Sequence, residues 1–206
     1  MRSIDTIVIH CSASPNGVYV SPAQIDAWHA ARGFHRDPAF VAKYRRELPH
    51  IGYHWIITAD GVPHAGRDKE EIGAHAQGHN AHSLAVCMTG TDQFSEAQWQ
   101  GLSDLLCTFA YSWQDRPGIA HVAYKPAPAL AIDLFKKMGV RICGHRDLSP
   151  DLDGVGVVEQ REWIKVCPGF DVAEWLTFEM VPDMRKVTEP YEDATRRIRA
   201  AAGAAA

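Results

Sequence analysis

The chain has no close pair of cysteines. Its five, Cys11, Cys87, Cys107, Cys143 and Cys167, are odd in number and widely spread, so they do not lay out a disulfide framework. No two sit two to four residues apart, which excludes a zinc ribbon or finger built on paired cysteines. No apolar run approaches the roughly 18 residues that would span a bilayer, so stable membrane insertion is not expected. An excess of basic residues is also missing. The formal net charge is -4, and a nucleic-acid partner is not expected, because holding phosphates requires a positive footprint. The segment Met1 to Asp5 carries an acid where an export signal would have its apolar centre, and Ile7-Val8-Ile9 is too short to replace it. Synthesis in the cytoplasm without a signal peptide is therefore expected.

What remains is ordinary for a globular domain: 206 residues, 46% hydrophobic and 22% charged. Residues 4–9 alternate and then run apolar up to His10, which reads as a central strand. Ser21-Pro22-Ala23-Gln24 is a helix start with a capping box, and that helix should reach about Arg32 and stop near Gly33. Residues 52–58 and 83–89 read as further strands, and Asp60-Gly61 turns the chain back after the first of them. A second capping box at Ser95 opens a helix with Trp99, Leu102, Leu105, Leu106 and Phe109 inward. Another helix is expected over about 126–138, with Leu130, Leu134, Phe135 and Met138 inward and Gly139 at its end. Residues 140–143 form a short strand ending in Gly144-His145, and Asp171 caps a last helix. This mixed order predicts an α/β fold, a central mixed β-sheet flanked by helices. The domain should occupy 1–180, and the charged, Ala-rich segment 181–206 reads as a flexible tail.

Eleven histidines are many for this length. His10 and His145 lie at strand ends, and Cys167 lies where a loop leads into the last helix. Strand ends aim side chains rigidly. Two imidazoles and a thiolate suit zinc, with a fourth position for water. On spacing alone the same three residues read more readily as unrelated buried or surface groups. Asp147 could brace the ligand loop or support His145, and Lys165 would favour a thiolate at Cys167. Tyr53 is a polar side chain in an apolar run, which also suits a half-buried structural tyrosine. His54 should face away from Tyr53, and His29, His35, His50, His64 and His121 carry no supporting pattern. His75 and Asn80 belong either to a polar surface loop or to the lining of a binding groove. Residues 151–162 imitate a calcium loop through Asp151, Asp153, Gly156 and Glu162, but Val155 stands where an oxygen ligand belongs. An ion-free scaffold and weak Ca2+ binding are the two readings of that loop.

Six fragments occur in one order: TIVIHCSAS (6–14), GYHWIITADG (52–61), GAHAQGHNAHSLAVCMTG (73–90), FSEAQWQGL (94–102), GHRDLSPD (144–151) and KVCPGFDV (165–172). Together they resemble the zinc amidases of the bacteriophage-lysozyme type, in the superfamily of the peptidoglycan recognition proteins. The resemblance implies a Zn2+ ion on His10, His145 and Cys167, with Tyr53 and Lys165 as catalytic residues. It implies N-acetylmuramoyl-L-alanine amidase activity on peptidoglycan and a phage or prophage endolysin; a monomer is expected. Such an enzyme reaches the wall through a separate membrane-permeabilising protein, and the lack of a wall-binding repeat suits a thin wall. Two rivals stay within the superfamily: a non-catalytic peptidoglycan-binding module and a cytoplasmic recycling amidase for anhydro-muramyl peptides. Binding modules typically lack the cysteine ligand, and recyclers usually replace the lysine and tyrosine pair.

Overall fold

The structure is a computed structural model that describes residues 2–113, 119 and 123–188. Its centre is a five-stranded sheet. The strands are β1 (Thr6–Cys11), β2 (Trp55–Ile57), β3 (Pro63–Ala65), β4 (Ser83–Met88) and, later in the chain, Arg141–Gly144. A two-stranded sheet joins Phe94–Ser95 (β5) to Val187–Thr188; in chain order Arg141–Gly144 is β6 and Val187–Thr188 is β7. The large sheet runs β3-β2-β4-β1-β6, parallel except for the edge strand β3. The mixed α/β class read from the sequence is the one observed, and β1 is an interior strand as expected.

Both capping boxes form. Ser21 opens α1 (Pro22–Ala31) and Ser95 opens α3 (Glu96–Ser112), each accepting from the backbone N–H three residues on. Between them lies α2 (Pro38–Lys43), which the sequence reading missed although Asp37-Pro38 is a cap followed by a first-turn proline. The later helices are α4 (Pro128–Lys137) and α5 (Val172–Thr177), the latter capped by Asp171. One correction concerns α4. Leu130, expected inward, is 40% exposed, while Ala131, Leu134 and Phe135 are buried. The inward stripe follows the spacing 131, 134, 135, 138, so Leu130 falls on its flank.

Alternation along β1 separates two cores. Ile7 and Ile9 join Ile57, Val86 and Met88 in packing under α3, α4 and α5. The opposite face carries a smaller cluster of Val20, Ile25, Leu48, Ile51 and Ile56, with Tyr53 packed against it. His10 points to that second face because it is out of phase with Ile7 and Ile9.

The expected strand 52–58 is shorter than its apolar run. At Ala85 the backbone N–H donates to His54 Nδ1 (3.0 Å), so an imidazole replaces a ladder carbonyl and regular pairing starts only at Trp55. The chain also remains engaged past residue 180. Met180 is buried, Lys186 accepts the Trp99 indole N–H at 3.4 Å, and β7 pairs with β5. The rest of the expected tail, 189–206, and His121 lie outside the described residues. Among the described residues no helix is long and apolar enough to cross a membrane.

Candidate metal centre

Three elements bring the predicted donors together. His10 is one residue from the end of β1, His145 follows β6 directly, and β1 and β6 are paired neighbours. Cys167 comes from the loop before α5, and its carbonyl accepts the Arg146 N–H at 2.9 Å, which ties that loop to the residue after His145. Asp147 braces the same corner by accepting the Gly144 N–H at 2.7 Å. One ligand atom from each of His10, His145 and Cys167 lies within 4.8 Å of the others.

The donor set fits zinc. Tetrahedral coordination with Zn–N about 2.0 Å and Zn–S about 2.3 Å separates a nitrogen and a sulfur ligand by roughly 3.6 Å. His10 Nδ1 and Cys167 Sγ are 3.7 Å apart. Burial, then the neighbouring His75 and His145, push the His10 pKa down; burial, then the Lys165 charge, do the same at His145. Both rings are thereby held neutral, the form that binds metal. Cys167 has a second thiol beside it. The hydrogen bond with Cys11 and then burial hold Cys167 protonated, while the same bond lowers Cys11 to about 7. A bound cation would displace that proton and leave a thiolate. Cys11 also donates its backbone N–H to Cys167 Sγ at 3.1 Å.

Tyr53 lies beside the cluster. Its ring centroid is 5.2 Å from His10 and 5.1 Å from His29. Burial, then the thiols of Cys87, Cys167 and Cys11, raise its pKa, so the phenol keeps its proton. Lys165 is exposed, on the loop that carries Cys167. Tyr53 precedes β2 rather than opening it, as the expected strand 52–58 would have had it.

His75 and Asn80 are half-buried beside the cluster. His75 Nδ1 is 3.1 Å from His10 Nε2. Asn80 Oδ1 accepts the N–H groups of His75 and Ala76, both at 3.0 Å, and so shapes the loop. His54 is structural, with Nε2 2.9 Å from the Glu71 carbonyl. The sequence reading missed His29, Cys11 and Cys87. His29 accepts the Gly52 N–H at 2.9 Å and thereby fixes the backbone next to Tyr53. Its signal was its place on the inner side of α1; Cys11 directly follows the first expected strand, and Cys87 lies within the expected strand 83–89.

Asp151, Asp153 and Glu162 also converge, with one oxygen of each within 4.8 Å of the others. Their oxygens are already engaged. Asp151 accepts from Gly154 and Gly156, Glu162 from Leu152, Asp153 and Glu159, and Asp153 from Val155 and Arg161. Internal N–H donors already engage these carboxylates, which favours the ion-free reading.

Comparison with known proteins identifies the family. The family model for N-acetylmuramoyl-L-alanine amidase matches residues 1–170. The endolysin of Escherichia phage T7 is 32% identical over 182 residues, covering 84% of this chain and 86% of the relative. An uncharacterised Haemophilus influenzae protein is 38% identical over 133 residues, 61% of this chain and 94% of the relative. Among solved structures, the amidase LysC of Clostridium intestinale superposes with a TM-score of 0.51 at 22% identity, over 87% of this chain and 86% of that one; this likeness speaks to the fold. A family match across the whole sheet, together with a two-histidine, one-cysteine cluster at its strand ends, places the chain in the N-acetylmuramoyl-L-alanine amidase family.

Proposed function

We propose that this protein is a zinc-dependent N-acetylmuramoyl-L-alanine amidase. It hydrolyses the amide between the lactyl group of N-acetylmuramic acid and L-alanine of the stem peptide, and so lyses the cell wall. The observation that carries this reading is the convergence of His10, His145 and Cys167 beside Tyr53 in a chain of this family. When bound, zinc supplies Lewis-acid polarisation of water and carbonyl.

The chain's own groups do the rest. Tyr53 keeps its proton and donates a hydrogen bond to the oxygen that becomes negative as the carbonyl is attacked. Lys165, exposed on the loop two residues before Cys167, adds positive charge at the same oxygen. The relatives titled endolysin favour a lytic role after synthesis in the cytoplasm, with release through a separate membrane-permeabilising protein.

The test is incubation with purified sacculi, with and without a chelator. Free L-alanine amino termini should appear without new reducing sugars, and the chelator should abolish them. Binding to sacculi without release would point to a non-catalytic module. Cleavage confined to small soluble anhydro-muramyl peptides would point to recycling. Either result would overturn the proposal.

A further inference from the structure

The ring nitrogens of His10 have two ways to share one proton, and only one of them leaves Nδ1 bare for a metal. A proton on Nδ1 would sit between His10 and Cys167, which are 3.7 Å apart at Nδ1 and Sγ. The choice is made by a chain of groups running away from the cluster. Ser83 Oγ is 2.7 Å from the His79 carbonyl, which can only accept, so the hydroxyl proton is committed there. Ser83 Oγ is then left as an acceptor for His75 Nε2 at 3.3 Å. A neutral His75 that donates from Nε2 has a bare Nδ1, which lies 3.1 Å from His10 Nε2. His10 must therefore carry its proton on Nε2, and its Nδ1 faces Cys167 with a free lone pair.

The surrounding structure holds this chain in register. Ser83 is the first residue of β4, and its carbonyl accepts from Arg2 Nη1 at 3.0 Å; the same guanidinium nitrogen reaches the Asn80 carbonyl at 2.9 Å. Asn80 fixes the His75 backbone. Gly73 leaves room for the ring, since a Cβ there would lie 2.5 Å from His75 Cδ2.

We propose that His75 and Ser83 are positioning residues: anchored on the His79 carbonyl, they fix the Nε2–H tautomer of His10 and so present Nδ1 to the metal. The proposal rests on the metal reading above, but one of its tests needs no metal. In metal-free, 15N-histidine-labelled protein, long-range proton–nitrogen correlation spectra distinguish the two tautomers of His10. Wild type should show the Nε2–H form, and His75→Ala should lose this preference. The Nδ1–H form in wild type would overturn the proposal.

The second arm is zinc affinity by competition with a chromogenic chelator. His75→Ala should weaken zinc about 10–100-fold, the usual effect of removing a group that orients a metal-binding histidine. Ser83→Ala should weaken it less, and His75→Gln, which keeps an acceptor, should recover part of the loss. Equal zinc affinity in wild type and both alanine variants would overturn the proposal. Should H75A fail to fold by its melting curve, S83A and H75Q carry the comparison. A wild-type protein that binds no zinc would instead remove the metal reading, leaving the tautomer spectrum to decide this one.

Discussion

Replacing Glu71 by Gln should cost this protein about 3–5 kcal/mol, although Glu71 touches no predicted ligand. Its carboxylate pairs with two buried arginines. Arg36 Nη2 approaches it at 2.7 Å and Arg67 Nη1 at 3.3 Å, with side chains 0% and 5% exposed. The remaining guanidinium donors collect backbone carbonyls: Arg36 those of Tyr44, Arg45 and Leu48, and Arg67 those of His35, Ile51 and Ile72. One carboxylate thus holds the irregular segment that leads to Tyr53. Glutamine keeps the shape but leaves two buried cations without a counter-charge, a loss in the range measured for broken buried pairs. With a urea m-value of about 2 kcal/mol/M, a loss of about 4 kcal/mol lowers the midpoint by about 2 M. Equilibrium urea unfolding by tryptophan fluorescence measures it, and turnover should fall because Ile51 and Gly52 set the backbone of Tyr53. A midpoint shift under about 0.5 M would refute the reasoning, because it would mean that the arginine charges are already balanced by their carbonyls.

Cys167→Ala should abolish zinc binding and turnover together, checked by metal analysis and release of L-alanine termini; a fully active, metal-free variant would refute the site. Tyr53→Phe should keep zinc and lose about a hundredfold in kcat, roughly 3 kcal/mol, the usual effect of losing one oxyanion donor. Gly73→Ala should impair zinc binding by pushing on His75 and His54, since its Cβ would lie 2.5 Å and 2.9 Å from their rings. Stability should fall in acid. Burial lowers the His54 pKa from 6.5 to about 3, so between those values the unfolded chain takes up a proton that the folded chain refuses. Stability is complete above pH 6.5 and declines as the pH falls toward 3; His54 alone contributes a loss of about 2 kcal/mol between pH 7 and pH 5, measurable by urea unfolding.

Local signals were the most legible. The capping boxes at Ser21 and Ser95 and the apolar stripe of α3 depend on neighbours in sequence, and each formed as read. Leu130 was misplaced because a four-residue stripe on a short helix leaves its edge undetermined by periodicity. The early part of the expected strand 52–58 failed for a tertiary reason: His54 takes the Ala85 N–H, and no pattern within that segment announces it. The donor set was legible only through the order of the six fragments. The separation of 157 residues between His10 and Cys167 is bridged by the parallel pairing of β1 with β6 and by the backbone bond from Arg146 to Cys167, neither of which composition reveals. His75 and Asn80 were recognised as a pair of interest, but a polar loop looks the same in sequence whether it faces solvent or folds back on a buried ring.

Sheet order has a further consequence for how the activity can be divided. The first donor belongs to the opening strand, and the other two follow α4, on the far side of the chain from it. A cut in the backbone between α3 and α4 would leave one piece with a single imidazole and the other with an imidazole and a thiol. Neither piece alone would carry all three donors. Recovered turnover from two co-expressed fragments would therefore report that the interior strand had paired again with its late-arriving neighbour.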